Sequence, residues 1–149
     1  AEQSLRLGRL MGHRELVVTG LIGLGSVLHV RGKLEEARSA LVEALNNAFD
    51  MPIFISSAAV RLAPVLIDLG EFDAAEELHR LVMEGPEMPK FECRLSIARL
   101  AFLRRDPQAE VMARESLALA VEAGHLLSAR GLEHLLASYG GAPATGPRS

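Results

Sequence analysis

The chain has 149 residues, which suits one ordinary domain, and its 49% of hydrophobic residues suffice for a packed core. Aromatic residues make up only 4%, so Leu, Ala and Val must fill the interior, and this composition favours helices. The formal charge of −3 lacks the basic excess typical of nucleic-acid binders. Cys93 is the only cysteine, and the apolar stretch 16–30 is too short and too interrupted to span a membrane. We therefore expect a cytoplasmic protein.

Apolar stripes recur along the chain at a nearly constant spacing. Segments 37–44 and 113–120 each place Ala, Leu and Ala at offsets 0, +4 and +7, which is one face of a helix. Segment 75–82 lies halfway between them and keeps this frame with weaker matches, while Ala1 lies 36 residues before Ala37. A period of 36 to 38 residues is typical of stacked helical hairpins.

Glycines mark the turns between these helices and the helices that precede them. Gly32 and Gly70 each follow a Leu by four residues and precede an apolar residue by two. Because glycine reaches the left-handed backbone conformation at low cost, each predicts a tight turn after a helix. The third turn is assigned to segment 105–107, where Pro107 suits the first turn of the next helix.

The sequence therefore predicts eight helices and a C-terminal tail. We expect the helices at about 1–11, 14–31, 34–48, 53–69, 73–84, 90–104, 108–123 and 126–139. Pro64 predicts a kink in the fourth helix, and the Gly and Pro residues of 84–89 predict an irregular link. We expect residues 1–139 to form the helical domain and the tail 140–149 to be disordered, because it is rich in Gly and Pro and has little to bury.

These residues resemble the tetratricopeptide repeat. The first full hairpin matches best, through Leu24-Gly25, Leu28, Gly32, Ala37, Leu41 and Ala44. The second agrees at Leu62-Ala63, Leu66, Gly70 and Ala75 but departs at His79 and Val82; the third matches at Leu100-Ala101, Ala113, Leu117 and Ala120. The resemblance implies an all-α, right-handed superhelical stack of antiparallel helix hairpins. The stretch 117–125 is also similar to the helical-repeat arms of large bacterial transcriptional regulators.

The resemblance implies a non-enzymatic interaction or regulatory module that binds a peptide or a partner domain in a concave groove. In this architecture the first helix of each hairpin lines the groove. The expected groove residues are Thr19, Ser26, His29, Ser57, Arg61, Asp68, Arg94, Arg99 and Phe102. A mixture of apolar and polar side chains suits an extended or helical peptide. The Lys/Asn/Arg set with which some members of the family grip a terminal carboxylate is not matched.

Three chemical alternatives are weaker than this interpretation. The glycine cluster 20–26 lacks the Lys of a phosphate-binding loop and lies in a predicted helix, so packing of small residues explains it better. No histidine lies three or four residues from another His or from Cys93, so a local zinc site is not expected. His13 and His125 each follow a glycine, which suggests a shared role in a turn. We expect no catalytic set, no cofactor and a buried structural Cys93.

A second hypothesis is self-assembly, as a homodimer or as a spacer within a larger protein. The helix that begins at Ala1 occupies the second-helix frame of a hairpin, so its partner helix is absent from this sequence. A repeat helix without its neighbour leaves an apolar flank bare. We expect such a flank on helix 1–11, or the last hairpin, to mediate assembly.

Overall fold

The structure, a computed structural model, describes residues 2–85 and 90–139, and α-helices are the only regular elements in those ranges. The all-α prediction is confirmed. The helices are α1 (Glu2–Val30), α2 (Leu34–Asn47), α3 (Pro52–Asp68), α4 (Phe72–Glu84), α5 (Lys90–Leu103), α6 (Ala109–Ala123) and α7 (Leu126–Tyr139). Helices α2 to α7 match the six predicted from residue 34 onwards to within one residue at each end. The tail 140–149 and most of the predicted link lie outside the described residues.

The predicted count of eight helices is wrong at the start of the chain, because α1 runs without a break through the turn predicted at Gly12 and His13. Packing just beyond this point explains the continuity. Nε of Arg14 donates to the backbone carbonyl of Asn47 at 2.9 Å, and its guanidinium also pairs with Asp50. These contacts hold α1 against the C-terminal end of α2, whose last carbonyls attract a cation. Glycine in a helix interior costs only about 1 kcal/mol relative to alanine, so tertiary packing outweighs this cost.

The contacts divide the chain into two units, Ala1–Pro89 and Lys90–Ser149. In the first unit, successive helices α1 to α4 pack on one another, and α1 also packs on α3. In the second unit, each of the helices α5, α6 and α7 contacts the other two. Each unit has its own apolar core: Val18, Ala44, Ala48, Met51 and Ala58 belong to the first, and Ala98, Ala113, Ala120, Ala129, Leu132 and Leu135 to the second.

One turn geometry closes four of the helices. At Gly32, the amide of Gly32 donates to the carbonyl of His29 at 3.0 Å, and the amide of Lys33 donates to the carbonyl of Leu28 at 2.9 Å. This pair of hydrogen bonds is the Schellman motif, in which one residue adopts a left-handed conformation. The same pair recurs after α3, α5 and α6, with the left-handed residues Gly70, Arg105 and Gly124. The turns predicted at Gly32, Gly70 and segment 105–107 are therefore confirmed.

Alanines from the repeating stripe are buried where neighbouring helices approach. Ala37, Ala75 and Ala113, which share one position of the predicted repeat, are each 0% exposed. A methyl side chain allows two helix backbones to pack closely without leaving a void. The interior therefore relies on many small contacts, in keeping with the scarcity of aromatic residues. Within the described residues, no helix is long and apolar enough to cross a membrane.

Candidate functional site

The first unit brings six of the nine expected groove residues onto two helices that touch. Helix α1 carries Thr19, Ser26 and His29, and helix α3 carries Ser57, Arg61 and Asp68. Their spacings of 7, 3, 4 and 7 residues keep each set on one side of its helix. Thr19, Arg61 and Asp68 are exposed, while Ser26, His29 and Ser57 are half-buried. We call this surface the α1–α3 face.

Two of these residues make a direct contact. Nε2 of His29 lies 2.7 Å from Oδ2 of Asp68, and the two side chains are 28% and 27% exposed. Both residues lie just before a left-handed glycine, His29 before Gly32 and Asp68 before Gly70. The contact brings the last turns of the two helices together. The contact therefore fixes the C-terminal end of α1 against that of α3.

The three expected groove residues of α5 do not share one side of that helix. Arg94 borders a small cleft between α5 and α6, with a volume of about 150 Å³. Phe102 instead stacks on Tyr139 of α7, with ring centroids 5.8 Å apart and an angle of 20° between the planes. Arg99 is half-buried, and it follows Arg94 by five residues, which is about 140° around a helix. The expected groove residues on this helix therefore point towards different neighbours.

The cleft between α5 and α6 was not predicted from the sequence. Besides Arg94 it is lined by Ile97 of α5 and by Met112, Glu115, Ser116 and Leu119 of α6. The four α6 residues follow the spacing i, i+3, i+4, i+7, so the signal for a common helix face was present. Because Glu115 and Ser116 are polar, the sequence pattern indicates an ordinary solvent-exposed helix face. A volume of about 150 Å³ admits one apolar side chain and is smaller than an ordinary ligand pocket.

The glycine cluster has a packing role at one of its three positions. A Cβ atom added at Gly25 would lie 2.4 Å from Cγ of the buried Leu41 in α2, so only glycine fits there. Gly20 and Gly23 are exposed, and a Cβ atom at either would meet nothing within 4 Å. The expectation that the cluster packs between helices is therefore confirmed for Gly25, whereas Gly20 and Gly23 meet no other helix among the described residues. All three lie in mid-helix, where backbone amides are already bonded.

The histidines are dispersed, and their surroundings differ. His13 lies inside α1, whereas His125 follows the left-handed Gly124 and stacks on Phe91 with ring centroids 5.1 Å apart. The shared turn role expected for His13 and His125 is therefore wrong. Among the described residues, no group of three or more His, Cys, Asp and Glu side chains is placed to hold a metal ion.

Cys93 is a core residue of α5. Its side chain is 0% exposed, and burial raises the pKa of the thiol to about 11, although Arg94 and Lys90 act in the opposite direction. Desolvation opposes formation of the thiolate, which is the nucleophilic form. The expectation of a buried cysteine is confirmed.

Comparison with known proteins adds no relative: no protein-family profile, curated protein or solved structure matches this chain.

Proposed function

We propose that this chain is a tetratricopeptide-like helical-repeat module that binds a peptide or a helix of a partner protein on the α1–α3 face. The stack is a right-handed α-solenoid in this proposal, with α1 and α3 on its concave side. The module belongs to a cytoplasmic bacterial transcriptional regulator, as the resemblance of segment 117–125 suggests. Its function is interaction and not catalysis.

The arrangement of the first four helices carries this proposal. Helices α1 and α3 contact each other, whereas no Cα atoms of α2 and α4 come within 8 Å of one another in the described residues. When alternate helices touch in one layer of a stack and lie apart in the other layer, the stack curves towards the layer in which they touch. The α1–α3 face lies on that layer, where an elongated ligand would find side chains from successive repeats.

The chemistry of the face suits a polypeptide ligand. Ser26 and Ser57 offer hydroxyl groups, His29 and Asp68 offer a polar pair at one end, and Arg61 is an exposed cation. Ile22 and Pro64 lie between them in sequence and are half-buried, which adds apolar contact. Extended and helical peptides bind surfaces of this kind through a few apolar anchors and several hydrogen bonds. A single deep pocket is not needed for this type of binding.

Site-specific photo-crosslinking tests which surface binds. A benzophenone amino acid replaces Ser57 on the α1–α3 face or, as the control, Glu43 on the exposed side of α2. In cells that produce the chain, we expect one dominant adduct from position 57 and none of that mass from position 43. Equal adducts from both positions, or adducts only from position 43, would contradict the proposal.

Binding measurements with the purified adduct partner complete the test. Arg61→Glu on α3 should weaken binding at least about tenfold, because it reverses a charge that the partner contacts. Arg114→Glu on α6 is the matched control: it makes the same change of charge at an exposed helix position, where Arg114 pairs with Glu110 one turn away. We expect its affinity to stay within about twofold of the wild type, since exposed pairs contribute little.

A further inference from the structure

The side of α1 that faces away from α2 is apolar and uncovered. Leu16, Val27 and Val30 are 73%, 50% and 88% exposed, and the exposed Gly20 and Gly23 lie between them. These five residues follow the spacing 4, 3, 4, 3, which places them on one line along the helix. We call this line the α1 stripe. No Asp, Glu, Lys or Arg occurs from residue 16 to residue 30.

The opposite side of α1 is already used. Val18 is 0% exposed, and Gly25 is in contact with Leu41 of α2. Helix α2, by contrast, has charged residues on its solvent side, including the exposed Glu35, Glu36 and Glu43. A surface helix normally has such a charged side, and a helix that is apolar all round is normally buried. The α1 stripe therefore has the character of a surface that another helix covers.

The two glycines of the stripe indicate how closely that helix approaches. Glycine disfavours an interior helix position by about 1 kcal/mol relative to alanine. Among the described residues nothing requires glycine at 20 or 23, because a Cβ atom at either position would meet no described atom within 4 Å. Small residues in the middle of an apolar helix face allow a second backbone to pack closely against it. Leu16 and Val27 then flank the point of closest approach.

We propose that the α1 stripe binds the same stripe of a second copy of this chain, with the two α1 helices antiparallel. A two-fold axis between Leu21 and Ile22 places residue n opposite residue 43 − n of the other copy. Leu16 then packs on Val27 of the second copy, Gly20 packs on Gly23, and Val30, at the end of the stripe, lies opposite the exposed His13. The arrangement is isologous, because each copy contributes the same surface. The dimer is proposed independently of partner binding, and its edge includes Thr19 and Ser26 of the α1–α3 face.

The residues beside the stripe favour a second copy over an unrelated surface. Beside the stripe, antiparallel helices bring like sides together, so the flanking neighbours are offset by two residues from the direct pairs. On one side, the half-buried Val17 lies next to the exposed Leu24 of the other copy. On the other side, Thr19 lies next to Ser26 of the other copy. Apolar residues thus meet apolar residues, and hydroxyl groups meet hydroxyl groups. Because residues 16–30 include no Asp, Glu, Lys or Arg, the contact from Leu16 to Val27 buries no unpaired carboxylate, ammonium or guanidinium group of these segments. A partner with a charged binding surface lacks this match.

The length of the stripe sets the strength of the dimer. From Leu16 to Val27, the part of the stripe that meets itself in this register, the helix rises about 16 Å, at 1.5 Å per residue. Contact along one helix of this length covers less than the roughly 800 Å² per partner that a standard interface buries. We therefore expect a dissociation constant of about 10 μM to 1 mM, with dimers at high concentration only.

Sedimentation equilibrium of the full chain at concentrations up to about 1 mM measures this association. We expect the mass to rise towards that of a dimer, and Leu16→Glu with Val27→Glu to raise the dissociation constant at least about 100-fold, because each dimer would bury four carboxylates. Both positions are exposed, so the substitutions leave the fold intact. Val121→Glu, at a residue that is 59% exposed on α6, is the control and should have no effect. A monomer at every concentration, or equal loss in the control, overturns the proposal.

Disulfide trapping tests the antiparallel register. In a Cys93→Ser background, a chain with Leu16→Cys is mixed with a chain with Val27→Cys under mild oxidation. We expect the mixed disulfide and little homodimer of the Leu16→Cys chain, since its two cysteines would lie about 16 Å apart along the helix, beyond the roughly 7 Å that a disulfide spans. Homodimer in preference to the mixed product overturns the antiparallel arrangement. The Leu16→Glu and Val27→Glu chain should still bind the photo-crosslinked partner, which separates this association from the proposed function.

Discussion

Nε2 of His29 lies 2.7 Å from Oδ2 of Asp68, and this contact joins two helices whose residues are 39 positions apart in sequence. The separation is close to the repeat period of 36 to 38 residues. The contact is therefore made by nearly equivalent positions of successive hairpins, close to the turns at Gly32 and Gly70. It ties α1 to α3 at the end of the α1–α3 face and fixes the distance between the two helices there.

A double-mutant cycle on this pair should give a coupling free energy of about 0.5 to 1 kcal/mol. His29→Ala, Asp68→Asn and the double variant are compared with the wild type by urea unfolding at neutral pH. Although Asp68 as a whole residue is exposed, the two side chains are only 28% and 27% exposed, so their coupling should exceed the few tenths of a kcal/mol that fully exposed pairs contribute. The exposed pair of Glu77 and Arg80, within α4, is the control and should couple more weakly than His29 and Asp68. Equal coupling of the two pairs would show that the contact does not stabilise the packing of α1 on α3.

The left-handed turn residues give two substitutions with opposite signs. Arg105 has a φ of 58°, where a residue with a side chain is strained, so Arg105→Gly should raise the free energy of unfolding by about 1 kcal/mol. Gly70 has a φ of 82° and open space around it, so Gly70→Ala should lower it by about 1 kcal/mol through the backbone alone. Thermal and urea unfolding measure both variants. Changes of the same sign would mean that the backbone conformation of these turns does not control their stability.

The helices and turns were predictable because their signals are local. Gly32 and Gly70 each close a helix, and the alanine stripe that starts at Ala37 and Ala75 identifies the buried side of the helix that follows. The exception is Gly12, where a glycine predicted a turn and the helix continues. The competing contact is made by Arg14 with the end of α2, which is 33 residues away in sequence. No local pattern contains that information.

The candidate site was predictable only where helices alternate regularly. On α1 and α3 the expected residues lie on neighbouring helices, and His29 meets Asp68. On α5 the same reasoning grouped Arg94 with Phe102, although the first borders α6 and the second stacks on Tyr139. The second unit is a three-helix cluster in which α5 has neighbours on two sides. Which side of α5 faces solvent depends on α7, and the sequence of α5 does not encode this.

Glycines that look alike in sequence should respond differently to alanine. At Gly25 the new methyl group would collide with Leu41, which is 0% exposed and has no room to move, so Gly25→Ala should lower the free energy of unfolding by about 1 to 3 kcal/mol. At Gly23 the methyl group meets nothing, and Gly23→Ala should raise it by about 0.5 to 1 kcal/mol through helix propensity. Urea unfolding at micromolar concentration, where we expect the chain to be monomeric, measures both. Destabilisation by Gly23→Ala under these conditions would indicate a contact that α1 makes within the chain.

Alkaline pH should destabilise the second unit through Cys93. Burial raises the pKa of this thiol to about 11 from its ordinary value of 9.0, so the folded chain keeps the proton where the unfolded chain loses it. The resulting stabilisation is complete below pH 9.0 and is lost as the pH rises through about 11. Its magnitude is of the order of 2 kcal/mol, at 1.36 kcal/mol per pKa unit. The measurement is the difference in unfolding free energy between wild type and Cys93→Ala from pH 8 to 11, because contributions common to the two chains cancel in this difference. From pH 8 to 11, the unfolding free energy of the wild type should fall by about this amount relative to that of Cys93→Ala. A constant difference would show that the thiol ionises as readily in the folded chain as in the unfolded one.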